Sequence, residues 1–352
     1  CTALMAAEPT WAGIGKGIVV LGVLWWAWVG YAWLTSVVDP EEGAVRLVIF
    51  AAIAAMLVVS LAVPHAFGDD ALLLACAYAG VRIAHIGLFL LASRDDAALR
   101  RSVLGLAVST LVGTGILIAA AFADGPLQGG LWVLALALDM AGPLVFGSDG
   151  WRIVPGHFAE RHGLILLIAL GESIVAIGVG ANATLDAGIV AAAVVGVAVV
   201  SALWWLYFDV VALVATRHLE EVPAGREQNE LARDAYSFLH FPMVAGIVLV
   251  ALGMKKTLGH VGDPLHVEPA AALLGGTALY LLAHVAFRFR HRRTFSPRRV
   301  VVAALAVALL PIAVAVPALV TVALLLALLA GLIAYERVRF ADFRHGIRHA
   351  GH

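Results

Sequence analysis

Three ionisable side chains, Arg82, Asp139 and Glu172, stand in the middle of long apolar stretches. A charge at the centre of a lipid-embedded helix costs ~2.5–3.5 kcal/mol on insertion scales, so such residues persist where they pair or where they do work. Glu172 lies nine residues past Gly163, about 14 Å along a helix at ~1.5 Å per residue. Asp139 lies nine past Gly130 and Arg82 eleven past Ala71, so all three fall near the middle of a ~30 Å hydrocarbon core. His85 follows Arg82 by three and shares its helix face, and Ser173 adjoins Glu172. The chemistry these residues offer is reversible binding of a proton or cation by the Glu172 carboxylate. Asp139, Arg82, His85 and Ser173 would line a midplane site for a small solute. The competing reading is an ion pair of Arg82 with Asp139 or with Glu172 that only fixes helix packing. Two acids against one arginine leave a surplus negative charge or a bound proton, which favours a working role for Glu172. Gly171, Gly178 and Gly180 on the same stretch leave room for a neighbouring backbone.

A second group lies at the ends of neighbouring stretches. Asp209 and His240 could meet there, as an interfacial cap or as a gate. Trp204, Trp205 and Tyr207 suit an aromatic belt at the membrane surface, with a substrate-stacking wall as the alternative. His65 and His284 sit at span ends and read as structural. His157, Glu160 and His162 invite a metal, but their order H-x-x-E-R-H matches neither H-E-x-x-H nor H-x-x-E-H, so no metal is expected. There is no G-x-x-x-x-G-K-[ST] phosphate loop and no legible nucleophilic triad, so no cofactor, no ATP-driven step and no enzymatic turnover are expected. Cys1 and Cys76 make no disulfide framework.

The elements that must position these residues follow from composition. Of 352 residues 62% are hydrophobic and 13% charged, against ~45–50% and ~25% in soluble domains. Mean hydropathy is +0.97. A soluble enzyme is excluded, and a net charge of −1 without a clustered basic face argues against nucleic acid. Apolar runs bounded by charge, Gly or Pro predict eleven transmembrane helices: 14–34, 46–63, 71–92, 102–123, 129–146, 162–181, 187–209, 234–254, 268–289, 300–317 and 319–335. The stretch 300–335 is punctuated only by Pro311 and Pro317. It reads either as two spans turning at Pro317 or as one span with a re-entrant piece. No run alternates with period two, so the class is an all-α polytopic membrane protein rather than a barrel. Nineteen arginines then fall on one side of the membrane, including Arg94, Arg100, Arg101, the group from Arg288 to Arg299, and Arg337 to Arg348. Lys16, Lys255 and Lys256 fall on the other. By the positive-inside rule the C-terminus is cytoplasmic, residue 1 faces outward, and the loops at Gly125 and Ala183 are external.

Several motifs carry a family likeness. Glu160-Arg161-His162-Gly163 leads into Leu170-Gly171-Glu172-Ser173, and Leu203-Trp204-Trp205-Leu206-Tyr207-Phe208-Asp209 follows some thirty residues later. Near the start stands Trp25-Trp26-Ala27-Trp28-Val29-Gly30-Tyr31. Together they resemble the bacterial low temperature requirement A (LtrA) family of polytopic membrane proteins, over nearly the whole chain. The resemblance implies a location in the cell membrane and a further opening helix with a motif like E-L-F-F-D-L-V-F-V, which this chain lacks. Restoring it would give twelve helices. An internal repeat is consistent with that number. Trp25-Trp26 matches Trp204-Trp205, Ala84-His85 matches Ala283-His284, and basic loops follow both histidines, each partner six helices on. The reading is two parallel six-helix repeats: residues 1–150 hold helices 1–5, residues 151–335 hold helices 6–11, and 336–352 form a basic cytoplasmic tail.

Three functions compete. The first is a secondary transporter or ion-conducting protein with a midplane carboxylate. The second is a structural or stress-adaptive membrane component without turnover. The third is a membrane-embedded enzyme acting at the cytoplasmic interface through Asp209, His240 and the tryptophan pair. The partners expected are the bilayer, anionic inner-leaflet lipids at the arginine-rich segments, and an unknown small solute, proton or cation, with no nucleic acid.

Overall fold

The computed structural model describes residues 1–38, 41–147, 149–180, 186–342, 344 and 346. The expected external position Ala183 and the tail residue Arg348 lie outside the described residues. The chain is helical, with one isolated bridge, Pro264 to Pro317, as the only β pairing among the described residues. The helices are α1 Thr2–Ala7, α2 Trp11–Leu34, α3 Gly43–Ala62, α4 Ala71–Ala92, α5 Ala97–Ala120, α6 Gly125–Val145, α7 Pro155–Gly180 and α8 Ala187–Phe208. They continue as α9 Val211–Glu221, α10 Arg226–Leu231, α11 His240–Gly259, α12 Val267–Arg292, α13 Pro297–Ala308, α14 Leu310–Ala313 and α15 Ala318–Arg339. Ten helical segments among the described residues are long and apolar enough to cross a membrane. With every backbone group bonded inside its own helix, such segments are at home in hydrocarbon.

The start signals are local. The Asp96 carboxylate accepts from the Ala98 and Leu99 amides at 3.1 and 3.0 Å and caps α5, and Asp186 accepts from Ile189 at 2.8 Å and caps α8. Pro126 and Pro297 occupy the first turns of α6 and α13, where the missing N–H costs nothing.

The run 300–317 is not one continuous span, which corrects the tenth predicted helix. Pro311 cannot donate to the helix ladder, and the chain breaks between α13 and α14 at Leu309. The two pieces still cover the depth of their neighbour. Arg299 in α13 pairs with Glu336 in α15 at 2.9 Å, while beyond α14 the Ala318 amide donates to the Asp263 carbonyl at 2.9 Å. The broken helix therefore runs antiparallel to α15, with its turn at Pro317.

The chain folds as two compact units. The first comprises Ala12–Val154, Val222–Glu230 and residue 1; the second comprises Thr2–Trp11, Pro155–Glu221 and Leu231–His352. In the first, α5 packs along α6 and α4, and α3 along α4. Only 22% of the α3 window is buried, so α3 lies at the rim. Trp151 closes one end of the unit against Trp33 and Phe89, its carbonyl accepting from Asn229 at 2.7 Å.

The second unit is built around α11, which packs most closely on α12 and α7 and is buried over 72% of its window. Gly246 and Gly276 meet where α11 crosses α12. A Cβ on Gly246 would lie 2.6 Å from the Gly276 carbonyl oxygen, and one on Gly276 would lie 2.7 Å from that of Gly246. Between lipid-embedded helices the gain comes from such close backbone approach. Gly276→Ala should force the pair apart at a cost of about 1–3 kcal/mol. Thermal unfolding in detergent measures this, and an unchanged midpoint would show that the crossing yields without strain.

Candidate functional site

In the first unit the midplane pair is closed. Arg82 Nη2 donates to Asp139 Oδ1 at 2.9 Å and to Thr110 Oγ1 at 2.8 Å, the Thr110 hydroxyl donates on to Asp139 Oδ1 at 2.9 Å, and Arg82 Nη1 reaches the Trp26 carbonyl at 3.3 Å. The two side chains are 1% and 5% exposed. His85, also wholly buried, sits one turn along with its ring against Tyr31 and Phe89. Gly30 makes this possible, because a Cβ there would lie 2.9 Å from both Arg82 Nη1 and His85 Cε1. Thus Arg82, Asp139 and His85 gather as their depths suggest. Asp139 is the acid that Arg82 takes, and its charge is matched.

Glu172 is elsewhere. It stands on an exposed strip of α7 among Leu164, Ile168, Val175 and Val179, and makes no hydrogen bond or ion pair among the described residues. Ser173 turns the other way, buried, its hydroxyl 3.4 Å from the Ala169 and Ile247 carbonyls. Of the three glycines singled out, Gly171 and Gly178 have open space, while a Cβ on Gly180 would lie 2.8 Å from the Lys255 carbonyl.

The second unit holds a cluster only partly legible beforehand. The segment Ala232–Phe238 is a π-helix leading into α11. Its widened turn stacks Tyr236 on His240 at 5.1 Å and lets His240 Nδ1 reach back five residues to the Ala235 carbonyl at 3.0 Å. A carbonyl only accepts, so Nδ1 carries a proton. In the neutral ring Nε2 is then the acceptor of the Tyr207 hydroxyl, 2.8 Å away. The Tyr207 ring lies 5.7 Å from that of His284. His284 Nδ1 is 2.6 Å from Arg299 Nη1, and a guanidinium only donates, so Nδ1 accepts and the proton of the neutral ring sits on Nε2. Arg299 is held by Glu336 through Nε at 3.1 Å and Nη2 at 2.9 Å, and by the Leu206 carbonyl at 3.2 Å. Arg298 joins Glu336 at 3.3 Å. On the far side of His240 the His162 ring follows at 5.3 Å, its Nδ1 donating to Phe158 at 2.8 Å.

A half-open cavity of about 540 Å³ reaches this cluster. His284, Arg299, Glu336 and Trp205 form part of its wall, with Leu206, Val210, Val214 and Phe287 among its apolar lining. Asp209 lines it too, but it pairs with Arg344 while His240 bonds Tyr207, so the suggested Asp209–His240 contact is not formed. The tryptophans divide. Trp204 is 41% exposed and stacks on Phe208, as a surface belt would. Trp205 turns to the cavity with Arg337 and Arg344 over its ring at 5.5 and 5.9 Å. His157 and Glu160 stay exposed near the start of α7, 3.7 Å apart, and no cluster of three His, Cys, Asp or Glu able to hold a metal occurs among the described residues.

Sequence reasoning missed Arg299, Glu336 and Arg344 as cluster members, and read His284 as structural. One signal was present: Glu336 is one of two acids, with Asp342, in a predominantly basic end, and it stands beside Arg337 and Arg339.

Residues 1–334 match the family model described as bacterial low temperature requirement A protein (LtrA). The chain is also similar to a protein of Rhizobium meliloti (strain 1021), named uncharacterized protein RA0937, at 27% identity over 278 residues, covering 76% of this chain and 67% of that one. No solved structure matches.

Proposed function

The chain belongs to the bacterial low temperature requirement A family, and taking from that a multi-pass place in the membrane, we propose that it is a secondary transporter or ion-conducting protein. Its working site is the His240–Tyr207–His284–Arg299 cluster of the second unit rather than a midplane carboxylate alone. The observation that carries this is the cavity, which brings solvent-sized space up to buried proton-carrying groups that form two hydrogen-bonded pairs, His240–Tyr207 and His284–Arg299, with the Tyr207 and His284 rings in contact. Ionisable groups inside a membrane bundle that line a cavity are the usual mark of a solute or proton path. Binding and release need no covalent turnover, and none is proposed. In the first unit, the closed Arg82–Asp139 pair favours packing as its role.

The experiment is flux through the purified chain in liposomes, read by a trapped pH-sensitive dye under an imposed gradient. Wild type should dissipate the gradient, and His284→Gln, which removes the ring but keeps a polar group, should not. A wild type inert under gradients of either polarity would move the reading to a structural or stress-adaptive component.

Glu172 is proposed as a second element of the path. An unpaired carboxylate on an apolar strip must in hydrocarbon bind a proton, a cation or a further partner. Glu172→Gln should lower flux while leaving unfolding unchanged, because no contact is lost. A flux equal to wild type would remove Glu172 from the path.

The orientation is proposed from charge. The arginine-rich ends face the cytoplasm, against anionic inner-leaflet lipid worth ~1 kcal/mol per basic residue. A reporter fused after His352 should therefore read as cytoplasmic and one at Gly125 as external. The reverse at Gly125 would overturn the span order of the first unit.

A further inference from the structure

We propose that the second unit's cavity binds a phosphate ester with an apolar tail, an inference that names the ligand class of the site above and rests on the reading of that cavity as a working site. Five arginines line the cavity against two carboxylates. Glu336 is occupied by Arg298 and Arg299, and Asp209 by Arg344. Neither Arg288 nor Arg292 forms an ion pair among the described residues; Arg288 bonds the Thr294 hydroxyl at 2.9 Å and feels Glu336 only at longer range. Between them stands His291. It is 5% exposed, lines the cavity, and neither ring nitrogen has a hydrogen-bond partner. Positions 288, 291 and 292 lie on one helix face, so two guanidinium groups and an imidazole converge from a single turn of α12.

A buried imidazole without a partner is a group awaiting one. Guanidinium forks match the several acceptor oxygens of a phosphate and bind it with charge-assisted bonds. The same cavity is also lined by the Val211, Val214 and Ile333 side chains, which offer nothing to a charged group and suit hydrocarbon. A volume of about 540 Å³ lies within the ~300–1,000 Å³ range of small-molecule sites. Bare inorganic phosphate would leave the apolar half unused, so an amphiphile fits better. Its source is either a lipid headgroup entering from the bilayer or a soluble ester entering from water.

The test uses the full chain in phosphatidylcholine nanodiscs. Three probes are added separately: inorganic phosphate, hexyl phosphate, and phosphatidylglycerol at a low mole fraction. Thermal stabilisation is read for all three, and lipid retention by native mass spectrometry for the third. Two variants accompany wild type. Arg288→Gln/Arg292→Gln removes exposed charges and leaves the core intact, and Val214→Trp fills the apolar half. Hexyl phosphate or phosphatidylglycerol should bind wild type and bind each variant about tenfold more weakly or worse, the loss expected when a charge-assisted bond goes. Phosphatidylglycerol alone responding identifies a lipid, and hexyl phosphate alone a soluble ester; either supports the proposal. No response to any probe, equal binding by wild type and the arginine variant, or inorganic phosphate binding as well as hexyl phosphate with Val214→Trp without effect, overturns it. Weakened binding in the variants with no flux in wild type would sink the transport reading and leave this site standing. Flux in wild type with no probe bound would do the reverse.

Discussion

Asp139→Asn should destabilise the protein by about 3–5 kcal/mol, the cost typical of removing one partner from a buried pair. The substitution keeps the side-chain size and one acceptor oxygen but leaves the Arg82 charge, 1% exposed, without a counter-charge. Thr110 and the Trp26 carbonyl cannot supply one, because both are neutral. Arg82→Met combined with Asp139→Leu should recover most of the loss, since replacing both members of a buried pair by apolar residues of similar volume is often neutral or stabilising. Equilibrium unfolding in mixed micelles measures both. If Asp139→Asn costs under about 1 kcal/mol, the pair is not what holds α4, α5 and α6 in place.

Glu336→Gln should be the second largest loss, at about 1.5–3 kcal/mol, the range for hydrogen bonds to charged groups. It removes the negative charge that Arg298 and Arg299 share and turns one of the two acceptor oxygens into a donor. Glu336 is 16% exposed and Arg298 23%, so water screens part of the deficit, and the loss should stay below that of Asp139→Asn. A functional loss should exceed the structural one. Arg299, left with the Leu206 carbonyl and one neutral acceptor, would hold His284 less firmly in the tautomer that accepts at Nδ1. Flux and unfolding measured on the same sample separate the two effects. A variant that loses stability but transports normally would show that Glu336 acts in packing alone.

The helices were legible because hydrocarbon demands long apolar runs; the starts of α5, α6 and α13 were not, since each helix begins before its apolar run, at the Asp96 cap, beside Pro126 and at Pro297. The pairing of Arg82 with Asp139 was legible as one of two options, since charges at mid-span are costly and the two lie at one depth. The face of Glu172 was not. In lipid both sides of a helix are apolar, so Leu164, Ile168 and Val175 give no pattern telling inward from outward. Arg299 was hidden for the opposite reason. At a span end a charge is cheap, and one arginine in a basic loop looks like the next until packing turns it towards Glu336. The His240–Tyr207 bond depends on the π-helical turn at Ala232–Phe238, a departure from the 3.6-residue period that spacing alone does not reveal.

The most direct measurement is proton flux by Tyr207→Phe beside wild type in liposomes, with unfolding followed on the same preparations. The change removes one oxygen atom, the one that bonds His240 Nε2 at 2.8 Å, and nothing else. Stability should fall by no more than about 0.5–1.5 kcal/mol, the net worth of one hydrogen bond. If the cluster of the second unit is the working site, the folded variant loses flux because the hydroxyl that bonds His240 is gone while the ring contact with His284 stays. A Tyr207→Phe protein that is folded and conducts at the wild-type rate would contradict that claim.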